Sequence, residues 1–395
     1  MTNISRLLEQ CRSCKSLFLG LDRDGTLVPY DAIPEEAIMN SHTRELLIKL
    51  ARLPNLHVAI VSARGSLRLK QDVDTQEIIL AGNYGLEMRH LPGDKEWVAP
   101  EALKAIPELR RLHAELQLIA KQFKGAILED DYYSFCLHWH LVPENQREKL
   151  SQALQELKPE LDTVYMRNLP TSYEFMPKML WNKGLALEKI ASLQQLSCEA
   201  PYCVYMGDTD QDEPAFEWAN NHGGSSVRVG TLNGKTKATY RLNQPADVIW
   251  FLEQLLEQRS LLAATAFNPE EDPAEREKRI ERVFSSMKAD YAKGLTERIK
   301  DLKTIVEKAK HQPNDLESLT EARTRMHRLK GTIGSYGFPE ISFQLGVIEV
   351  ALENIEKASS LNKNLSEAWL EALPIIEASF DKALSAAASP SEIAQ

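Results

Sequence analysis

Two aspartates two positions apart, Asp22 and Asp24, close an apolar segment in the stretch Phe18-Leu19-Gly20-Leu21-Asp22-Arg23-Asp24-Gly25-Thr26-Leu27. Side chains at i and i+2 of a strand share a face, and where a strand is ending both can turn to one point. Asp22, ionised at neutral pH, can attack phosphorus and become an aspartyl phosphate. Asp24 can protonate the leaving oxygen and later activate water. Gly25 permits the tight turn that follows. The plain alternative is a solvated Asp-Gly turn at a strand end; the apolar run before it and Thr26-Leu27 after it favour chemistry.

Further groups stand where they could serve the same reaction. Ser62 ends the apolar run His57–Val61 and precedes Ala63-Arg64-Gly65, so its hydroxyl can hydrogen-bond a phosphoryl oxygen. Lys183, in Asn182-Lys183-Gly184, opens a helix and adds its ammonium to the N-terminal field that favours anions. Asp208 and Asp212, in Gly207-Asp208-Thr209-Asp210-Gln211-Asp212-Glu213, join Asp22 as oxygen ligands of the kind Mg²⁺ prefers. Singly, these residues read as a turn serine, a solvated lysine and an acidic helix start. Together, each at its own element end, they supply nucleophile, acid, phosphate clamp and metal site.

The elements that must position them alternate. Strands are predicted at Leu17–Asp22, His57–Ser62, Ile78–Asn83, Cys203–Asp208 and Ser226–Val229, several of them unbroken apolar runs as in buried parallel sheets. Helices are predicted between them, including Pro34–Arg52 and Lys183–Leu196. This is the pattern of a doubly wound α/β sheet, whose ligands sit beyond the carboxyl ends of the strands. Between about residues 86 and 177 the pattern changes. Amphipathic strands over Ala126–His140 and Thr163–Phe175, with helices over Pro100–Phe123 and Glu144–Leu157, predict an inserted α/β cap. Residues 1–258 are read as this first domain, and 259–273, apolar then acidic and proline-marked, as a linker. Residues 274–390 show only helical periodicity, at about 274–309, 314–335, 339–358 and 365–386, and predict an all-α four-helix bundle.

The chain has 395 residues and a net charge of −10. That length suits two or three domains, and the charge argues against nucleic acid as a partner. No apolar run is long enough to span a bilayer, and the polar N-terminal segment lacks a signal-peptide core; a cytoplasmic location without a membrane partner is expected. Five cysteines imply no disulfide framework, and the pair Cys11 and Cys14 reads as incidental. His138 and His140 share a strand face, but nothing nearby completes a metal site, and they read as the wall of a polar cleft.

A series of motifs runs through this half: Asp22-Arg23-Asp24-Gly25-Thr26-Leu27 with Pro29, Val58 to Arg64, and Gly82-Asn83-Tyr84-Gly85-Leu86-Glu87. Glu129-Asp130, Glu174 with Pro177, Asn182-Lys183-Gly184 and Gly207-Asp208 through Phe216 continue it. In this order they resemble the haloacid dehalogenase (HAD) superfamily of phosphatases, and within it the trehalose-6-phosphate phosphatases, over about residues 16–256. The first and last motifs mark the superfamily, and Gly82–Glu87 points to the trehalose branch. The resemblance implies a HAD-like core with a mobile cap, a sugar-phosphate substrate, and a Mg²⁺ held by Asp22, the Asp24 main-chain carbonyl and Asp208. Arg64, Asn83, Glu129 and Glu174 are the candidate substrate contacts. Asp131, His140, Met176 and Thr209 stand where the family usually has Lys, Arg, Arg and Asp; a phosphatase for a different sugar phosphate is therefore the alternative.

The helical half has its own candidate, in Arg325-Met326-His327-Arg328-Leu329-Lys330-Gly331-Thr332-Ile333-Gly334-Ser335-Tyr336-Gly337. Helical spacing puts Lys330, Gly331 and Gly334 on the face of His327. Glycine costs about 1 kcal/mol within a helix, so two of them need a reason: without side chains there, the imidazole stands clear for a partner. A neutral imidazole is a competent nucleophile, and Lys330 can neutralise a phosphorylated histidine. His327, Leu329, Lys330, Gly331 and Gly337 resemble the motif of histidine phosphotransfer (HPt) domains, over about residues 275–386. That resemblance implies that His327 exchanges phosphate with response-regulator receiver domains of a histidine kinase pathway, the donor being another protein. It leaves open a phosphorelay protein in which the α/β half is a sensor or scaffold.

Overall fold

The computed structural model describes residues 4–31, 33–157, 161–193, 201–231, 235–266, 272–360 and 364–388, and the chain divides into two compact units, Met1–Leu262 and Ala263–Gln395. The first unit opens with α1 (Ile4–Ser13), β1 (Leu17–Leu21), α2 (Ser41–Ala51), β2 (Leu56–Val61), α3 (Ser66–Asp72) and β3 (Ile78–Gly82). It continues through β4 (Glu87–Leu91), β5 (Lys95–Val98), α4 (Pro100–Gln122), β6 (Ile127–Asp130), β7 (Phe135–His138) and α5 (Glu144–Leu157). Then come β8 (Val164–Asn168), β9 (Ser172–Pro177), α6 (Lys183–Leu193), β10 (Tyr202–Gly207), α7 (Glu213–Asn221), β11 (Ser225–Val229), β12 (Tyr240–Leu242) and α8 (Pro245–Thr265).

All five residues of β1 are buried, and the strand lies between β10 and β2 in a sheet of order β12-β11-β10-β1-β2-β3-β4-β5. From β12 to β3 neighbouring strands are parallel, and β4 and β5 extend the edge antiparallel. Alternation along β1 sends Leu17, Leu19 and Leu21 into one core with Leu47 and Phe251, and Phe18 into another with Tyr205 and Phe216. Chain order reverses at β1, the kind of switch point where ligands collect. Leu21 stands level with Met206 and Ile60, so Asp22, Asp208 and Ser62 all leave the sheet at the same edge. The cap is a separate antiparallel sheet, β6-β7-β9-β8, with its own core of Leu109, Leu116, Phe135, Leu137, Leu150 and Phe175.

Several boundaries differ from the sequence pattern. The cap begins at α4, not near residue 86, because the turn Asn83-Tyr84-Gly85 has φ of 52°, 60° and 89° and reverses the chain directly after β3. Residues 87–98 therefore join the main sheet. The expected strand 126–140 is a hairpin, β6–β7, with Tyr132 at φ 66° between them. The helix expected over 34–52 is only a short 3-10 turn, Pro34–Glu36, followed by α2. Asn40 starts that helix by accepting a hydrogen bond from the Thr43 N–H at 2.8 Å. α8 runs on through Thr265, into the expected linker, since Ser260 to Ala264 contain no helix breaker. Residues 267–271 of that linker, and 194–196 of the helix expected after Lys183, lie outside the described residues.

The second unit is helical: α9 (Pro273–Lys293), α10 (Leu295–His311), α11 (Leu316–Ser335), α12 (Pro339–Ser360) and α13 (Leu365–Ala387). One helix was expected over 274–309; there are two, parted at Gly294, a residue whose backbone freedom makes it a poor helix former. Leu295, Ile299, Met326, Leu345, Leu352 and Phe380 share one core. No described helix is long and apolar enough to cross a membrane.

Candidate active site

The turn after β1 is closed by its own backbone. The Arg23 carbonyl accepts from the Leu27 and Val28 N–H groups at 2.8 and 2.9 Å, and the Gly25 N–H donates to the Val28 carbonyl at 2.7 Å. Gly25 has φ +75°, and a Cβ there would lie 2.0 Å from Asp208 Oδ2. Glycine is what lets this turn lie against Asp208. Gly25→Ala is expected to cost about 1–3 kcal/mol from φ alone, and to displace Asp208, so that turnover falls further than stability does. Thermal unfolding and phosphate release on one preparation would separate the two effects. Arg23 bridges a buried pair with Asp72, Nε to Oδ2 at 2.5 Å, and the Asp24 carboxylate, Nη1 to Oδ1 at 2.6 Å.

Lys183 gathers the carboxylates. Asn182 caps α6, accepting from the Leu185 N–H at 3.0 Å, and so holds Lys183 in the first turn. Lys183 Nζ lies 2.8 Å from Asp22 Oδ1 and 2.7 Å from Asp212 Oδ1. Asp212 is fully engaged elsewhere too, accepting from the Tyr205 hydroxyl at 2.8 Å, the Thr209 N–H at 2.9 Å and the Asp208 N–H at 3.1 Å. Thr209 and Asp212 together form the capping box of this turn. Burial lifts the Asp22 carboxyl well above the usual range; Lys183 opposes this, and Asp212 and Asp208 add to it. Burial and the Asp212 charge push Asp208 up to about 6. Burial would lift Asp212 as well, but the charge and hydrogen bond of Lys183 outweigh it and hold that carboxyl below its ordinary value.

Three carboxylates here face one ammonium, an excess of negative charge. Ligand atoms of Asp22, Asp208 and Asp212 lie within 4.8 Å of one another, and Asp208 Oδ1 is buried without a hydrogen-bond partner. An all-oxygen, negatively charged pocket with an orphaned carboxylate oxygen fits a hard divalent cation such as Mg²⁺.

A cavity of about 520 Å³ opens over these groups, within the range of small-molecule sites. The core contributes Asp22, Asp24, Ser62, Arg64 and Lys183; the cap contributes Glu129, His138 and Glu174. Arg64 grips Asp24, Nε to Oδ2 at 2.7 Å and Nη2 to Oδ1 at 2.9 Å. Ser62 Oγ accepts from the Arg64 N–H at 3.1 Å. Glu129 accepts from Arg68 at 2.8 Å and meets His138 Nε2 at 2.5 Å. Burial would raise its pKa, but His138 and Arg68 bring it below the ordinary value. Glu174 accepts from the Tyr84 hydroxyl at 2.8 Å and from Arg167 Nε at 2.9 Å.

Asn83 does not line this cavity, contrary to its reading as a substrate contact. It is fully buried, donating to Glu87 at 2.7 Å and to the Asp131 carbonyl at 3.1 Å, and accepting from the Ser134 hydroxyl. It ties the turn after β3 to the cap. Asp131 accepts from the Gly65 N–H at 2.9 Å and pairs with Arg68 at 3.0 Å. It links the cap to the segment after Ser62. Arg167, Tyr84 and Tyr30 are among the residues at or beside the site that were not singled out from sequence. Arg167 stands directly across from Glu174 in the β8–β9 pairing, which strand alternation could have shown. Tyr84 lies within the quoted Gly-Asn-Tyr-Gly motif. Tyr30, whose hydroxyl hydrogen-bonds Asp208, carries no signal in sequence.

In the second unit, α11 continues through Gly331 and Gly334 to Ser335. The His327 side chain is 69% exposed, and its Nδ1 lies 2.7 Å from Glu349 Oε1 on α12. Lys330 Nζ holds the other Glu349 oxygen at 2.5 Å. A Cβ on Gly331 would meet nothing within 4 Å, so the surface beside the imidazole is open. With Nδ1 turned to a carboxylate, Nε2 is the nitrogen left for chemistry.

The sequence pattern of the family described as Trehalose-phosphatase matches residues 20–246. Probable trehalose-phosphate phosphatase J of Arabidopsis thaliana is 27% identical over 266 residues, which cover 65% of this chain and 71% of that protein. Trehalose 6-phosphate phosphatase RA3 of Zea mays is 28% identical over 262 residues, covering 62% and 71%. Among solved structures, the C-terminal domain of C. albicans trehalose-6-phosphate phosphatase aligns with a TM-score of 0.56 at 22% identity, over 65% of this chain and 97% of that one. That likeness carries the fold, a HAD-like α/β core. The family match ends before α9 and does not include the helical unit. It does span more than half of the chain, including both motif ends of the cavity, Asp22 and Asp208: the chain belongs to the trehalose-phosphatase family and is a phosphoric monoester hydrolase.

Proposed function

We propose that the first unit hydrolyses trehalose 6-phosphate to trehalose and phosphate through an aspartyl phosphate on Asp22. The observation that carries this reading is the convergence of Asp22, Asp24, Ser62 and Lys183 on one cavity beneath the cap. An Asp22 carboxylate oxygen attacks phosphorus while the bond from phosphorus to the sugar oxygen breaks, and Asp24 gives that oxygen its proton. Asp24 then takes a proton from the water that attacks the phosphorus of the acyl phosphate, returning Asp22 and releasing phosphate. Lys183 and Ser62 hold the phosphoryl oxygens, and Lys183 keeps Asp22 oriented. Asp22 and Asp208, with the Asp24 carbonyl, would hold the Mg²⁺, and Asp212 fixes Lys183 and the turn beside them. When bound, the ion supplies positive charge to the phosphoryl oxygens. Glu129, Glu174 and Arg64 are the substrate contacts this reading retains.

Arg64 holds both Asp24 oxygens and Arg23 Nη1 lies 2.6 Å from Oδ1, so an Asp24 oxygen must be released from these guanidinium groups before the proton can move. Asp24→Asn is expected to slow release of phosphate from trehalose 6-phosphate by about 10²–10⁴-fold. The loss should be smaller with nitrophenyl phosphate, whose leaving group needs no proton. The reading itself is tested by phosphate release from trehalose 6-phosphate beside a panel of other sugar phosphates, with Mg²⁺. Release from another sugar alone would keep the chemistry and reassign the cap. No release from any would favour a sensor or scaffold.

We also propose that the helical unit is an HPt module, with His327 receiving phosphate from a receiver domain, and that both units work in the cytoplasm. The pairing of His327 and Lys330 on Glu349, beside the open surface at Gly331, supports it. Phosphoramidate, a small phosphoryl donor to imidazoles, should load one acid-labile, base-stable phosphate on the full chain, and His327→Gln should remove it. Equal labelling of that variant would reject His327.

A further inference from the structure

We propose that Glu129, Cys136 and His138 form a binding site for a thiophilic divalent cation such as Zn²⁺ on the cavity face of the cap, and that an ion there blocks hydrolysis. Sequence order shows only two histidines on one strand; the third dimension completes the set. Alternation along β7 puts Cys136 and His138 on one face, and the β6–β7 register puts Glu129 directly opposite Cys136. All three line the cavity, and their ligand atoms lie within 4.8 Å of one another.

A tetrahedral zinc site with bonds of about 2.0–2.3 Å has ligand atoms about 3.3–3.8 Å apart. Small rotamer adjustments would therefore close these three groups on an ion, with the cavity leaving a fourth position for water. Cys136 Sγ would bind as thiolate after losing its proton to solvent, His138 through neutral Nε2, and Glu129 through the oxygen that now meets His138. Outer contacts are already in place. Arg68 holds the other Glu129 oxygen at 2.8 Å. Ser172, across from His138 on β9, shares a hydrogen bond with the Cys136 thiol. Such partners orient ligands and tune their affinity. The set is chemically distinct from the all-oxygen group at Asp22 and Asp208: a thiolate and an imidazole select Zn²⁺ over Mg²⁺. The two ions would not compete for one place.

The inhibition, unlike the binding, rests on the proposal that Glu129 contacts the sugar. The full chain, saturated with Mg²⁺, is titrated with Co²⁺ as a spectroscopic substitute for Zn²⁺. One equivalent should produce thiolate-to-cobalt charge-transfer absorption, which an oxygen site cannot give. Cys136→Ser should abolish that absorption and Cys14→Ser should keep it, with circular dichroism melts showing that both variants fold. His138→Gln gives a second route to the same loss. Zn²⁺ should then inhibit phosphate release by the wild-type protein in excess Mg²⁺. Losing one outer partner already costs about 10–100-fold in metal affinity, so Cys136→Ser should need about 100-fold more Zn²⁺. No charge-transfer absorption, or absorption that survives Cys136→Ser, overturns the site and leaves the phosphatase reading intact. Cys136-dependent absorption without inhibition keeps the metal site and overturns the placement of sugar at Glu129.

Discussion

Asp22→Asn is expected to lower phosphate release from trehalose 6-phosphate by about 10⁴-fold or more, the scale on which removing a nucleophile acts in enzymes whose groups work as a unit, while the protein still folds. The amide keeps the shape of the carboxylate but cannot form the acyl phosphate. Folding should survive because the lost charge is an expensive one. Asp22 is buried beside Asp212 and Asp208, and its pKa is raised in the folded state. A carboxyl raised in this way opposes folding above its unfolded pKa, so at neutral pH removing its charge offsets the loss of its pair with Lys183. Lys183 retains Asp212 at 2.7 Å. Phosphate release and a thermal melt on the same sample decide the matter: a stable variant that still turns over at near the wild-type rate would remove Asp22 from the mechanism.

Lys183→Met should do the opposite to stability. It leaves Asp22 and Asp212 buried, with Asp208 beside them, and no ammonium among them. Breaking a buried ion pair by removing one partner costs about 3–5 kcal/mol, mostly for the charge left behind. Urea unfolding should therefore shift to a markedly lower midpoint, and turnover should be lost with the phosphate clamp. Adding Asp212→Asn to Lys183→Met should recover part of the stability and none of the activity, because the two residues share one interaction. An unshifted midpoint in the single variant would mean that Lys183 does not hold these carboxylates together.

The parallel strands were legible because each is a short apolar run ended by polar or glycine residues, and burial on both faces leaves that mark. Boundaries failed where one backbone conformation decided them. Positive φ at Asn83 and Tyr84 sent residues 87–98 back along the main sheet, and nothing in the apolar pattern of 87–98 distinguishes that course from entry into the cap. Gly294 divided a helix whose apolar spacing continues across it. An amide in a family motif suggests a ligand contact, but the φ of 52° at Asn83 and its buried bonds to Glu87 and Asp131 make it a joint between core and cap, which its position in sequence does not reveal.

Local order along the chain set the residue types at each element end: two carboxylates after the first strand, a serine after the second, a lysine at a helix start, an acidic turn after β10. It also determined the glycine pattern around His327, since helical spacing is a local property. Only the tertiary structure decided which of these groups meet. Lys183 reaches Asp22 and Asp212 across separations of many residues, Asp131 of the cap reaches Gly65 of the core, and Glu129 comes to lie opposite Cys136. Those meetings depend on strand register and on how the cap seats over the sheet. Both are set by nonlocal packing, which leaves no periodic trace along the chain.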